Sequence, residues 1–137
     1  MEKASFSIEK YLFSKVNIDL ENHTSNKRSI DFKPSGVFKQ DSSTYDLTFD
    51  FSAYTESDKD AQPFVTSRCI GTFKFSSLSS FEEIPSYFYR NSIAILFPYL
   101  RAFVSMVTIQ ANIPPVVLPT MNLASLEVPL KENTKIA

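Results

Sequence analysis

Apolar residues alternate with polar ones over three stretches in the first half of the chain, and then recur at helical spacing in the second half. From Phe6 the even positions Phe6, Ile8, Leu12, Val16, Ile18 and Leu20 are apolar, with Glu9, Lys15, Asn17, Asp19 and Glu21 between them. A period of two predicts a long, half-buried strand. Lys10, Tyr11 and Phe13 break the alternation, which calls for a bulge or for aromatics turned toward a partner. Residues 22–41 lose the pattern and contain Asn26, Pro34, Ser35 and Gly36, so this stretch reads as a long crossover connection whose Ile30, Phe32, Val37 and Phe38 need cover. A second run places Tyr45, Leu47, Phe49, Phe51 and Ala53 opposite Asp46, Thr48, Asp50 and Ser52. After a charged hairpin loop at Glu56 to Asp60, a third run sets Val65, Ser67, Cys69, Gly71, Phe73 and Phe75 against Thr66, Arg68, Thr72 and Lys74. Strands that alternate in this way belong to an antiparallel sheet with one face in water.

Beyond Ser76 to Ser80 the period lengthens. Ile93, Leu96, Phe97, Leu100, Phe103, Val104 and Val107 recur at three and four residues, with Arg101, Ser105 and Thr108 as a polar stripe, so the pattern predicts an amphipathic helix over about 86–111. Pro98 lacks a backbone donor and should bend the helix or start a new segment. Pro114, Pro115 and Pro119 favour an extended segment over 112–137, and Pro129 leaves room for no more than a turn or two of helix after Leu123. The expected architecture is α+β, an antiparallel sheet of up to four strands packed against one long amphipathic helix. With 137 residues, one domain spanning 1–137 is expected.

Composition narrows the functional classes. Fourteen basic residues against fifteen acidic ones give a net charge of -1, no footprint for phosphate backbones, and nucleic acid is not expected as a partner. Cys69 is the single cysteine and His23 the single histidine, so no internal disulfide and no Cys/His metal cage can form. The start Met1-Glu2-Lys3-Ala4-Ser5 lacks the features of a signal peptide, and Pro98 and Arg101 interrupt the longest apolar window, so a cytoplasmic chain without a membrane span is expected. His23 reads as a solvated loop residue, Cys69 as a buried thiol, and Glu82 and Glu83 as acids favoured near a helix start. Asp46 and Asp50 share a wet strand face, where solubility explains them better than a metal or acid-base role. No catalytic residue, metal site or cofactor is expected, and two glycines far apart exclude a Gly-rich phosphate loop. What remains is a surplus of aromatics: thirteen Phe and six Tyr in a small domain, several of them in the crossover and just before the helix. Such residues either complete a core or an interface with an identical subunit, or line a groove for apolar peptides.

The run Ile95-Leu96-Phe97-Pro98-Tyr99-Leu100-Arg101, followed by Val104-Ser105-Met106-Val107, resembles the long helix of the SecB family of protein-export chaperones. The similarity continues through Ile113-Pro114, Val116 to Leu118 and Met121-Asn122-Leu123. Upstream it extends to Phe6 to Glu21, Thr44 to Thr55, and Phe64 to Phe75 with its Gly71 and Phe73. The resemblance implies a SecB-like fold, a homotetramer built as a dimer of dimers, and binding of unfolded client polypeptides in an extended state, without catalysis. It places client contacts at Phe32, Phe38, Tyr87, Phe88, Phe97 and Leu100. Of the acidic pair that docks the SecA-type motor in the family, the positions here are Lys15 and Asp19; only Asp19 is acidic, which counts against motor docking. The long C-terminal helix and acidic tail of export chaperones have no counterpart after Leu126. A chaperone dedicated to an antitoxin or another single client therefore fits as well as a general export factor. A non-catalytic structural module and, less readily, a metal-dependent enzyme stand as alternatives.

Overall fold

The computed structural model describes residues 5–55, 62–76, 78, 80–119 and 123–137. The hairpin loop expected at Glu56 to Asp60 and the Met121-Asn122 pair lie outside the described residues. Four long strands, β1 (Phe6–Ile18), β2 (Arg28–Lys39), β3 (Thr44–Thr55) and β4 (Val65–Phe75), are followed by helix α1 (Tyr87–Gln110). A short helix α2 (Glu127–Glu132) and a three-residue strand β5 (Thr134–Ile136) complete the elements that matter here. The sheet order is β1-β4-β3-β2-β5; every neighbouring pair is antiparallel except β2 and β5, which run parallel. The α+β architecture expected from the sequence is present, with β5 as a fifth strand that makes the sheet mixed.

The centre of the sheet follows the sequence pattern closely. On β3 and β4 every second residue is buried, from Tyr45 to Ala53 and from Val65 to Phe75, and the residues between them face water. Helix α1 covers the apolar face with Phe88, Ile93, Leu96, Leu100 and Val104, all fully buried. Gly71 lets the helix sit this close, because a Cβ there would lie 3.0 Å from Leu96 Cδ1. The helix continues unbroken through Pro98. By length and composition α1 could also cross a bilayer; here one of its faces is the lid of the sheet.

Three features depart from the sequence pattern. The expected crossover over 22–41 is largely strand: β2 pairs with β3 without a register shift from Arg28 opposite Thr55 to Lys39 opposite Thr44. Turn-forming residues are tolerated there for specific reasons. The Gly36 amide points away from β3 and donates to the Asn133 carbonyl at 3.1 Å. By alternation Pro34 also directs its backbone outward, so its missing N–H removes no bond to β3. Gly36 is required because a Cβ there would fall 1.9 Å from the Tyr45 hydroxyl. The second departure is in β1, where register shifts between Ile8 and Lys10 and between Phe13 and Lys15 turn Tyr11 and Phe13 to the helix side. Leu12, expected inside, pairs with Ile70 on the wet face instead. The third is β5, paired with Gly36, Val37 and Phe38 at the end of a segment expected to be only extended.

Candidate functional site

The residues expected to contact clients divide into core and surface. Phe38, Phe88 and Leu100 are fully buried and correct the expectation that they line a groove. Phe88 packs edge-on against Phe6, Tyr45 and Phe73, at centroid distances of 4.8, 4.8 and 5.6 Å. Much of the aromatic surplus is consumed in this cluster. Tyr87 is 37% exposed at the first turn of α1, far along the helix from Phe97 and Leu100. Phe32 and Phe97 are brought together: both are partly or largely buried, and their rings lie 6.0 Å apart at 64°. Phe97 also borders a groove of about 340 Å³ with Pro98, Arg101, Ala102 and Ser105. The Ser105 hydroxyl, donating to the Val116 carbonyl at 3.2 Å, and the Thr108 hydroxyl, accepting from the Val116 amide at 2.9 Å, dock the segment after α1 onto the helix.

A second apolar surface adjoins this groove at Ala102 and runs along the outer face of α1. Ile95, Tyr99, Ala102, Met106 and Ile109 are exposed and follow one another at steps of four, three, four and three. Steps of that kind put side chains in one line along a helix. Tyr99 stacks on Tyr11 at 4.0 Å and Phe103 on Phe13 at 3.8 Å. Together with Ala102 and Met106 these rings border a depression of about 300 Å³. In the sequence Tyr11 and Phe13 stand out as breaks in the alternation of β1, whereas the strongest period of α1 marks only its buried stripe. The 4-3-4-3 series was present in the sequence as the signal for the second one.

The groups considered for chemistry are engaged elsewhere or inert. Asp50 accepts from the Arg68 guanidinium at 2.8 and 3.1 Å, and Asp46 accepts from Thr72 at 2.8 Å and pairs with Lys39 at 2.9 Å. Burial pushes the Cys69 thiol up to about 12, so it is not a nucleophile at neutral pH. Asp19, the retained acid of the motor-docking pair, caps the short turn Leu20–Asn22 by accepting from the Glu21 amide at 3.1 Å. No group of three or more metal-ligating side chains occurs among the described residues.

His23 is not simply solvated. The Arg28 guanidinium donates to its Nε2 at 3.1 Å and also to the carbonyls of Pro115 (3.0 Å) and Pro114 (2.6 Å). Arg28 lies 5.3 Å from the Phe64 ring centroid, and the His23 ring meets Phe64 edge-on at 4.8 Å. Partial desolvation, reinforced by the Arg28 charge, holds the imidazole below its ordinary value of 6.5. This cluster ties the start of β2 to the segment that follows α1.

No sequence family profile matches the chain. A stretch of 42 residues is 55% identical to the uncharacterized protein MJ0357 of Methanocaldococcus jannaschii, covering 31% of this chain and 27% of that protein, so the chain spans only about a quarter of that relative's length. Among solved structures, the SecB-like chaperone Rv1957 of Mycobacterium tuberculosis, in complex with a ChAD peptide from the Rv1956 HigA1 antitoxin, superimposes with a TM-score of 0.61 at 15% identity. The superposition covers 85% of this chain and 91% of that one. A Streptococcus agalactiae protein of unknown function aligns over 87% of this chain and 100% of its own at 15% identity, with a TM-score of 0.47. A five-stranded mixed sheet under one long helix, laid out as in the mycobacterial protein, makes the fold of this chain SecB-like.

Proposed function

We propose that this protein is a SecB-like chaperone that holds non-native polypeptides in an extended state, without a chemical step. The observation that carries the reading is the groove along Phe97, Pro98, Arg101, Ala102 and Ser105, with Phe32 beside Phe97. It is open and largely apolar, with Arg101 and Ser105 as its polar members, and it carries none of the paired acids, bases or nucleophiles that a reaction needs. An open apolar groove suits weak, sequence-tolerant binding of extended segments. The antitoxin peptide carried by the mycobacterial structure supports a dedicated client of that kind; general export in the cytoplasm is the broader alternative. Asp19 is occupied in a local cap and Lys15 replaces its partner acid, so docking of a SecA-type motor is the least supported part of the reading.

The Ile95, Tyr99, Ala102, Met106, Ile109 stripe favours assembly. A straight apolar line on a helix is self-complementary about a two-fold axis, and closed two-fold symmetry is the commonest way for a small domain to cover it. We assign it to the two-fold interface of a homodimer, the unit from which a homotetramer built as a dimer of dimers would be assembled. The client reading is tested by titrating a reduced, unfolded polypeptide into the protein and recording heat at low and high salt. Apolar burial of roughly 25 cal/mol per Å² is not screened by ions, so the affinity should survive high salt. Equal affinity for the native form of the same polypeptide would count against the proposal.

A further inference from the structure

The edge of the sheet beside this groove is only partly closed. The Gly36 amide reaches outward to the Asn133 carbonyl at 3.1 Å, and the Phe38 carbonyl accepts from the Ala137 amide at 2.8 Å, so even-numbered residues of β2 direct their backbone away from β3. The β2-β3 register has no shift, and the same alternation therefore holds back to Arg28. Gly36 and Phe38 are covered by β5. The N–H and C=O of Ile30 and Phe32, pointing the same way, have no partner among the described residues. Pro34 lies between the two halves and offers a carbonyl but no N–H. Side chains of the open half face the helix layer: Ile30 and Phe32 are half-buried, with Phe32 against Phe49, Phe51 and Phe97.

The closed half is weakly held. Strand β5 pairs over three residues, Lys135 is exposed, and Ile136 is 51% exposed, so little apolar burial opposes its departure. Its firmer anchor is Thr134, whose hydroxyl contacts the Tyr45 hydroxyl at 2.6 Å and donates to the Leu130 carbonyl at 2.7 Å. An open half with two residues of free backbone is short for a stable strand, whereas the whole edge from Ile30 to Phe38 matches the usual strand length.

We infer that the β2 edge is a strand-exchange site: an extended polypeptide with apolar residues at alternate positions adds to Ile30 and Phe32 and displaces Lys135 to Ala137 to take the remainder. This rests on the chaperone reading and specifies its binding mode. Main-chain hydrogen bonds would supply sequence-tolerant affinity, and the alternate side chains would meet Ile30, Phe32 and Phe97. The C-terminal strand then acts as an internal competitor that any bound segment must displace.

The experiment uses a synthetic, unstructured peptide with Val and Phe at alternate positions, labelled for fluorescence anisotropy. Val37 and Lys135 are partnered in the parallel register, so Val37→Cys with Lys135→Cys should lock β5 in place on oxidation. The locked form should bind the peptide about tenfold more weakly than its reduced form, since a competitor that cannot leave shifts the equilibrium by its full weight. Removing Lys135 to Ala137 while keeping Thr134 should tighten binding several-fold, and this second variant serves if the cysteine pair does not fold. Peptides N-methylated on alternate backbone nitrogens should lose binding. Equal affinity for the locked, reduced and truncated forms would overturn strand exchange and leave the chaperone reading standing. No binding by wild type or truncated protein would overturn both.

Discussion

Helix α1 carries two apolar faces in different surroundings. On one, Phe88, Ile93, Leu96, Leu100 and Val104 are fully buried against β3 and β4, and they close the core. On the other, Ile95, Tyr99, Ala102, Met106 and Ile109 line up equally well yet stay exposed, with Tyr11 of β1 reaching across to stack on Tyr99. The difference shows that apolar spacing on a helix does not by itself tell which face packs in the core. Amphipathic helices that serve one core usually turn polar on the far side. Here the far side is apolar as well, and that is the ground on which we assign it to assembly.

Substitutions that treat the two faces alike should give opposite readouts. Phe88→Ala should cost about 3–5 kcal/mol in a urea denaturation curve, because a full aromatic ring leaves a cavity in a cluster that cannot collapse. Tyr99→Ser with Met106→Ser should change that curve by less than ~1 kcal/mol. The pair should instead convert the oligomer to smaller species in light scattering coupled to gel filtration. A large stability loss in the double variant, with assembly intact, would place this face in the core and end the contrast.

The segment after α1 offers a gentler test, through pH. His23 is held below its ordinary 6.5 in the folded chain, so the unfolded chain binds the proton more readily. The clamp's contribution should be complete above 6.5 and be lost as pH falls below that value toward the depressed one. Denaturation midpoints of wild type and His23→Gln across this window check the sign: wild type should lose more stability on acidification. Smaller still is Asp50→Asn. The Arg68 pair is more than a third exposed and screened by solvent, and its removal should leave the denaturation midpoint nearly unchanged.

The centre of the fold was legible in the sequence because nothing there interrupts the period: β3, β4 and the buried stripe of α1 alternate cleanly. Legibility failed where local chemistry and tertiary position disagree. Pro34 and Gly36 read as turn residues, but an edge strand spares Pro34 its missing donor, and the Tyr45 ring takes the space a side chain at Gly36 would need. Strand β5 has three residues and no periodicity to show. Paired bulges in β1 exchange Leu12 for Tyr11 and Phe13, a change of face that a period of two cannot anticipate. Among the site residues, Phe38, Phe88 and Leu100 were indistinguishable from groove residues by type alone. Only packing reveals that Phe88 is the hub of the aromatic cluster, while Phe97 borders an open groove and Phe32 packs behind it.

If non-native chains lie against Phe97 with Phe32 behind it, calorimetric titrations of one reduced, unfolded polypeptide into wild type and Phe32→Ser, alongside denaturation curves for both, should separate the two proteins. Wild type should bind it and ignore the native form of the same polypeptide, and Phe32→Ser should bind clearly more weakly while still unfolding cooperatively. A folded Phe32→Ser protein that binds as tightly as wild type, or a wild type that ignores unfolded polypeptide, would contradict this placement.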